Sequence, residues 1–145
     1  MHSMRVRRLF GLCLVLVGLG AAPLTSFVSG EIPESTKNAL RANAPEQLEI
    51  KVLAVKRTAG LGRFNLKFVV SAEINEARKS STGLKKGDRI TIEYTSPNPE
   101  VGKIPPGSYP RPLAEGETCM AYLKSEAKGE SGERVYTPAA ASGSF

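Results

Sequence analysis

Residues 48–74, LEIKVLAVKRTAGLGRFNLKFVVSAEI, decide the fold. Leu48, Ile50, Val52 and Ala54 fall on one side of an extended chain, and Glu49, Lys51 and Arg57 on the other. Leu53 and Val55 share that second side, so it too is expected to be partly covered. From residue 63 to 74 the alternation resumes, with Phe64, Leu66, Phe68 and Val70 opposite Arg63, Asn65 and Lys67. A period of two belongs to a strand, because successive side chains leave a pleated backbone on opposite faces. Between the two runs, Gly60 and Gly62 supply a short turn, which predicts an antiparallel hairpin with Phe64 and Phe68 in the core.

Downstream, residues 76–86 (EARKSSTGLKK) form a polar connection that Lys85-Lys86-Gly87-Asp88 closes with a turn. Residues 89–95 (RITIEYT) make a third strand that buries Ile90, Ile92 and Tyr94. The stretch 96–116 then holds Pro97, Pro99, Pro105, Pro106, Pro110 and Pro112. Proline lacks the amide that helices and central strands both need, so this stretch is a loop. A loop of that length inside a compact domain is either functional or disordered. Residues 117–124 (ETCMAYLK) read as a fourth strand, 125–133 as a polar turn, 134–138 (RVYTP) as a fifth strand and 139–145 as a small-residue tail. A meander, a long connection and two more strands point to an all-β fold, a small five-stranded antiparallel OB-like barrel. An immunoglobulin sandwich needs about seven strands.

Upstream, residues 31–47 are polar and carry Pro33 and Pro45. Ser35 is placed to cap one short helix through Arg41, and the segment reads as an N-terminal arm. Before it, Arg5, Arg7 and Arg8 precede an uncharged run at 9–22 (LFGLCLVLVGLGAA), then Pro23 and the small residues of Val28-Ser29-Gly30. That order is a secretory signal peptide. The run stops well short of the roughly 20 apolar residues that a spanning helix needs. Arg7-Arg8-Leu9-Phe10 half-matches a twin-arginine signal, and Cys13 follows Leu12 where a lipid-anchor signal wants a small residue. The expected organisation is therefore a signal peptide at 1–30, an arm at 31–47, a barrel domain at 48–138 and a tail at 139–145, with the protein secreted or periplasmic. Cleavage after Gly30 removes three arginines and lowers the formal charge from +6 to +3, which is no nucleic-acid signature.

Much chemistry leaves with the signal. His2 is the only histidine, so a chain starting at Glu31 has no Ser-His or Cys-His nucleophile and no histidine-based zinc, haem or copper site. No enzyme activity, metal or cofactor is expected. Cys119 becomes the sole cysteine and reads as a packed thiol, with an intermolecular disulfide as the sharper alternative. Glu73 with Glu76, and Glu115 with Glu117, are the carboxylate pairs, and both read as solvated turn or strand acids. Asp88 reads as an Asx-turn residue. Ser81 or Thr82 with Lys85 is the remaining nucleophilic option, in a polar turn with no burial to lower the lysine pKa. Gly60-Leu61-Gly62 is too short for a phosphate cradle. Lys51, Arg63 and Lys67 lie on the polar strand faces without aromatics beside them, which excludes single-strand nucleic-acid stacking.

The proline-rich loop is where function is expected. Within residues 104–112 (IPPGSYPRP), Pro106, Tyr109, Pro110 and Arg111 are the candidate binding residues, since Tyr and Arg dominate binding hot spots and a stiff backbone lowers the ordering cost. The bland alternative is a loop that covers the barrel's open end with Tyr109 as its lid.

Residues 48–123 resemble the netrin-like domains of secreted proteins, including tissue inhibitors of metalloproteinases. The hairpin, residues 86–95 (KGDRITIEYT), residues 113–117 (LAEGE) and residues 119–123 (CMAYL) carry the likeness. The resemblance implies an OB-type barrel. Those inhibitors chelate zinc through an N-terminal cysteine, whereas Glu31 stands at the predicted mature terminus here, so that mechanism transfers to no residue of this chain. Residues 87–95 also echo FK506-binding prolyl isomerases, which need a tryptophan-floored pocket that this chain lacks. The expectation is an exported small β-barrel that binds an unknown protein or envelope ligand through the loop at 97–112. The alternative is a structural or accessory subunit of an envelope or extracellular complex.

Overall fold

The computed structural model describes residues 30–60, 62, 64–102, 104–128 and 133–145. Residues 1–29, all but the last residue of the expected signal peptide and including Cys13 and its arginines, lie outside them, as do Leu61, Arg63 and Lys103. In chain order the elements are α1 (Glu34–Asn43), β1 (Glu46–Ala59), β2 (Asn65–Ser80), β3 (Arg89–Pro97), a 3-10 turn at Pro99–Val101, β4 (Thr118–Lys128), β5 (Glu133–Pro138) and a second 3-10 turn at Ala141–Gly143.

The five strands close into a barrel in the order β1-β2-β3-β5-β4, with β4 returning to β1. The all-β small barrel is as expected, but it is mixed rather than wholly antiparallel. β3 and β5 run parallel, with Ile92 opposite Tyr136, while the other neighbours are antiparallel. Parity requires this: a ring with an odd number of strands cannot alternate direction all the way round.

Leu48, Ile50 and Val52 of β1 face Phe68, Val70, Ala72 and Ile74 of β2 and Ile90, Ile92 and Tyr94 of β3 in one core. Burying such side chains stabilises by about 1.5–3 kcal/mol each. The alternation of β1 breaks between Val52 and Ala54, where the register with β2 slips by a residue. A bulge of this kind moves later side chains to the opposite face. Ala54, expected inside, is therefore exposed, and Val55 packs against the core instead. Phe64, expected beside Phe68, is 46% exposed. It precedes the first residue of β2, and its carbonyl accepts the Asn98 amide at 2.8 Å.

The connection between β2 and β3 is shorter than expected, because β2 continues to Ser80. Its closing turn is as read: the Lys85 amide donates to Asp88 Oδ2 at 2.8 Å, and Gly87 takes φ 88°, which suits glycine. The hydroxyls of the Ser–Lys option are occupied. Ser81 Oγ donates to Glu46 Oε1 at 2.6 Å, and Thr82 Oγ1 lies 3.0 Å from the Tyr136 hydroxyl. Glu46, counted with the polar arm in sequence, is fully buried as the first residue of β1. Its Oε1 also accepts the amides of Ser81 and Thr82 at 3.1 and 3.0 Å.

Arm and tail both join the barrel. α1 starts after Pro33, with no side-chain cap, so Ser35 is a helical residue rather than the cap. The helix stops at Ala44 because a residue before proline avoids helical geometry, and Gln47 Nε2 donates to the carbonyls of Arg41 and Ala42. Arg41 Nε donates to the Gly143 carbonyl at 2.8 Å, which ties α1 to the chain's last turn. Residues 139–145 continue along β4 as well: the Ala139 amide donates to Tyr122 O, and the Tyr122 amide to Ser144 O, both at 2.9 Å. Phe145 packs against the core, with its ring centroid 5.3 Å from that of Tyr94.

Candidate functional site

The proline-rich loop leaves the barrel at the end of β3 and returns at Thr118. Both ends are fastened. At its start, Asn98 Oδ1 accepts the Glu100 amide at 3.1 Å and opens the 3-10 turn, which Gly102 ends at φ 73°. At its return, Ser96 Oγ donates to the Pro110 carbonyl at 2.9 Å. The Tyr94 hydroxyl donates to the Arg111 carbonyl at 3.3 Å and accepts the Leu113 amide at 3.0 Å. Leu113, assigned to the loop in sequence, is a buried core residue. Tyr94 itself is held by a near-parallel stack on Phe68, with ring centroids 5.0 Å apart. Burial pushes the Tyr94 phenol up, which keeps its proton available for the Arg111 carbonyl.

Between those ends the loop stands away from the core. Tyr109 lies across Gly107, where an added Cβ would come within 2.7 Å of the ring. The Ser108 and Ser142 hydroxyls meet at 2.7 Å and join the loop to the tail. Two adjacent clefts share Ile104, which is 64% exposed. One, of about 320 Å³, is lined by Tyr109, Pro110 and Arg111 together with Glu31 and Ser142. The other, of about 380 Å³, is lined by Phe64, Ile104, Pro105 and Pro106. Of the four candidate residues, three thus share a cleft and Pro106 sits in its neighbour. Phe64 and Ile104 are the residues that sequence reasoning missed. Alternation assigned Phe64 to the core, and nothing marked Ile104 as exposed beyond its two following prolines.

The charge of Arg111 is already spoken for. Its Nη2 donates to Glu117 Oε1, and Glu117 Oε2 also accepts the Ala114 amide at 3.1 Å. The Arg111 hydrogen bond holds the Glu117 carboxyl below its ordinary range, and the same bond raises the Arg111 guanidinium. Arg111 therefore braces the loop's return, while Ile104 and Pro106 are exposed and Tyr109 is half-buried. Glu115 has a different task, accepting the Val55 amide at 3.1 Å. Glu73 and Glu76 pair with Arg89 and Arg78 at 3.8 and 3.6 Å.

Cys119 lies opposite Ile50 in the β1–β4 ladder and packs on the core, where burial pushes its thiol up. Such a thiol is a poor nucleophile. Lys67 is bound to Glu93 at 2.8 Å. Among the described residues, no three His, Cys, Asp or Glu side chains gather as a metal site, and no helix is long and apolar enough to cross a membrane. Comparison with family models, with curated proteins and with solved structures finds no match to this chain.

Proposed function

We propose that this chain is an exported binding module, in which the barrel serves as a rigid mount for the loop at 97–112. One observation carries the reading. The loop's feet are bonded to the core through Ser96, Tyr94 and Leu113, while Ile104, Pro105, Pro106 and Tyr109 crown two adjoining clefts. A surface already fixed in place loses little entropy on binding, and apolar groups on it gain by leaving water. The segment at 1–30 supports export, and the likeness to netrin-like domains supports an extracellular setting. The ligand is a protein or an envelope component. A contact through a Cys119 disulfide is the weaker reading, because that thiol is half-buried.

Replacing residues 99–109 with a short glycine-containing turn tests this reading, because the Ser96, Tyr94 and Leu113 anchors remain. Partner capture from native envelope or culture fluid is expected to disappear while the barrel's melting stays cooperative. Capture that survives the replacement contradicts the reading.

A further inference from the structure

The rim of β1 beyond its contact with β4 leaves backbone groups without a partner among the described residues. β4 pairs with β1 across residues 46–51 only, whereas β1 runs on to Ala59. Gly116 and Glu117 extend the pairing through Val52, and the Glu115 carboxylate takes the Val55 amide. Beyond that point the register with β2 is one-to-one, and Gly60 N–H donates to Asn65 O at 3.0 Å. Alternation then turns residues 54, 56 and 58 toward β2, and the amides and carbonyls of Arg57 and Ala59 outward. Among the described residues nothing pairs with those outward groups.

We infer that this edge, from Val55 to Ala59, takes up an extended acidic segment of a partner protein as an added strand. A row of outward N–H and C=O groups at strand spacing is complementary to another polypeptide backbone. Charge selects the sequence. Between residues 55 and 59 the charged side chains are Lys56 and Arg57, both cationic, and Glu115 is engaged at the edge's start by the Val55 amide. Lys56 and Arg57 are exposed, and the Arg57 guanidinium lies 5.6 Å from the Phe68 ring centroid. A second copy of this chain paired antiparallel about Arg57 would set arginine against arginine, which is destabilising. Glutamate or aspartate opposite Arg57 is stabilising. The Glu115 carboxylate on the Val55 amide sets the upstream limit of the added strand. None of residues 55–59 lines either loop cleft, so either surface can fail without the other.

The test uses isotope-labelled protein and a short blocked peptide in which glutamate alternates with valine and threonine, with a lysine-for-glutamate version beside it. The acidic peptide is expected to slow amide exchange at Arg57 and Ala59 at least tenfold and to bind at least tenfold more tightly than the basic one. Arg57→Glu, which keeps the backbone amide, is expected to reverse that preference. Ala59→Pro, which removes an outward amide at an edge where proline is tolerated, is expected to weaken binding. Unchanged exchange at both amides overturns the inference, as does equal binding of the two peptides or concentration-dependent dimers formed through this edge. Perturbation confined to Tyr109 and Ile104 also overturns it, while leaving the loop reading in place.

Discussion

Tyr94→Phe removes one oxygen and tests how the barrel holds its loop. The hydroxyl accepts the buried Leu113 amide at 3.0 Å and donates to the Arg111 carbonyl at 3.3 Å. The ring's stack on Phe68 and its contact with Phe145 survive the change. An abandoned buried donor costs about 1–3 kcal/mol. The longer bond to the Arg111 carbonyl adds less, because that residue is exposed. A loss of about 2 kcal/mol follows, which for a domain of this size lowers Tm by roughly 8 °C. Urea melts of both proteins measure the loss, and amide exchange locates it: Leu113 is expected to exchange much faster while Ile92 stays protected. The phenol adds a pH signature. Its folded pKa is raised by burial, so the unfolded chain ionises first, near pH ~10. Wild-type stability is then fully present below that pH and falls as pH rises through it, and the Tyr94→Phe variant lacks this part of the fall. Equal stability within about 0.5 kcal/mol, with Leu113 still protected, would refute the anchoring argument.

Three further expectations follow from the same contacts. Glu46→Ala abandons the donors of Ser81 and Thr82 and is expected to cost about 1–3 kcal/mol in urea melts; a neutral result would show that the turn does not depend on this carboxylate. Glu117→Gln weakens the brace on Arg111. Because the folded Glu117 pKa is lowered by that hydrogen bond, its contribution is present above the ordinary glutamate pKa of about 4.3 and lost as pH falls below it. The pair is partly exposed, so a difference of at most about 1 kcal/mol is expected near neutral pH, shrinking toward pH 3, and a constant difference would contradict it. Cys119 is expected to react with a thiol reagent much more slowly than free cysteine until denaturant is added, whereas an equally fast native reaction would mean that its burial is not maintained.

The barrel was legible where alternation and turn chemistry agree. The runs around Ile50, Phe68 and Ile92 form paired strands, and Asp88 closes its turn as read. Alternation failed for Ala54 at the β1 bulge, because the register slip is a matter of pairing, and apolar Leu53 and Val55 on the polar side marked the break without locating it. The parallel β3–β5 pair was implicit in a closed ring of five. The arm and tail were read as appendages because small or polar residues carry little hydrophobic signal. Their attachment depends on backbone bonds from residues 139 and 144, on Arg41 and on a single aromatic, Phe145. Placing the site in the proline-rich loop brought Tyr109, Pro110 and Arg111 into one cleft. It did not foresee that Arg111 pairs with Glu117, a partner met only when the loop folds back. Phe64 joins the neighbouring cleft across a chain separation that no local pattern spans.

The most direct measurement compares partner capture by the wild-type protein with capture by an Ile104→Ser, Tyr109→Ala double variant. Both side chains lie outside the core cluster, so the two proteins are expected to melt alike. The binding account predicts that capture falls at least tenfold in the variant. Undiminished capture at equal stability would contradict it.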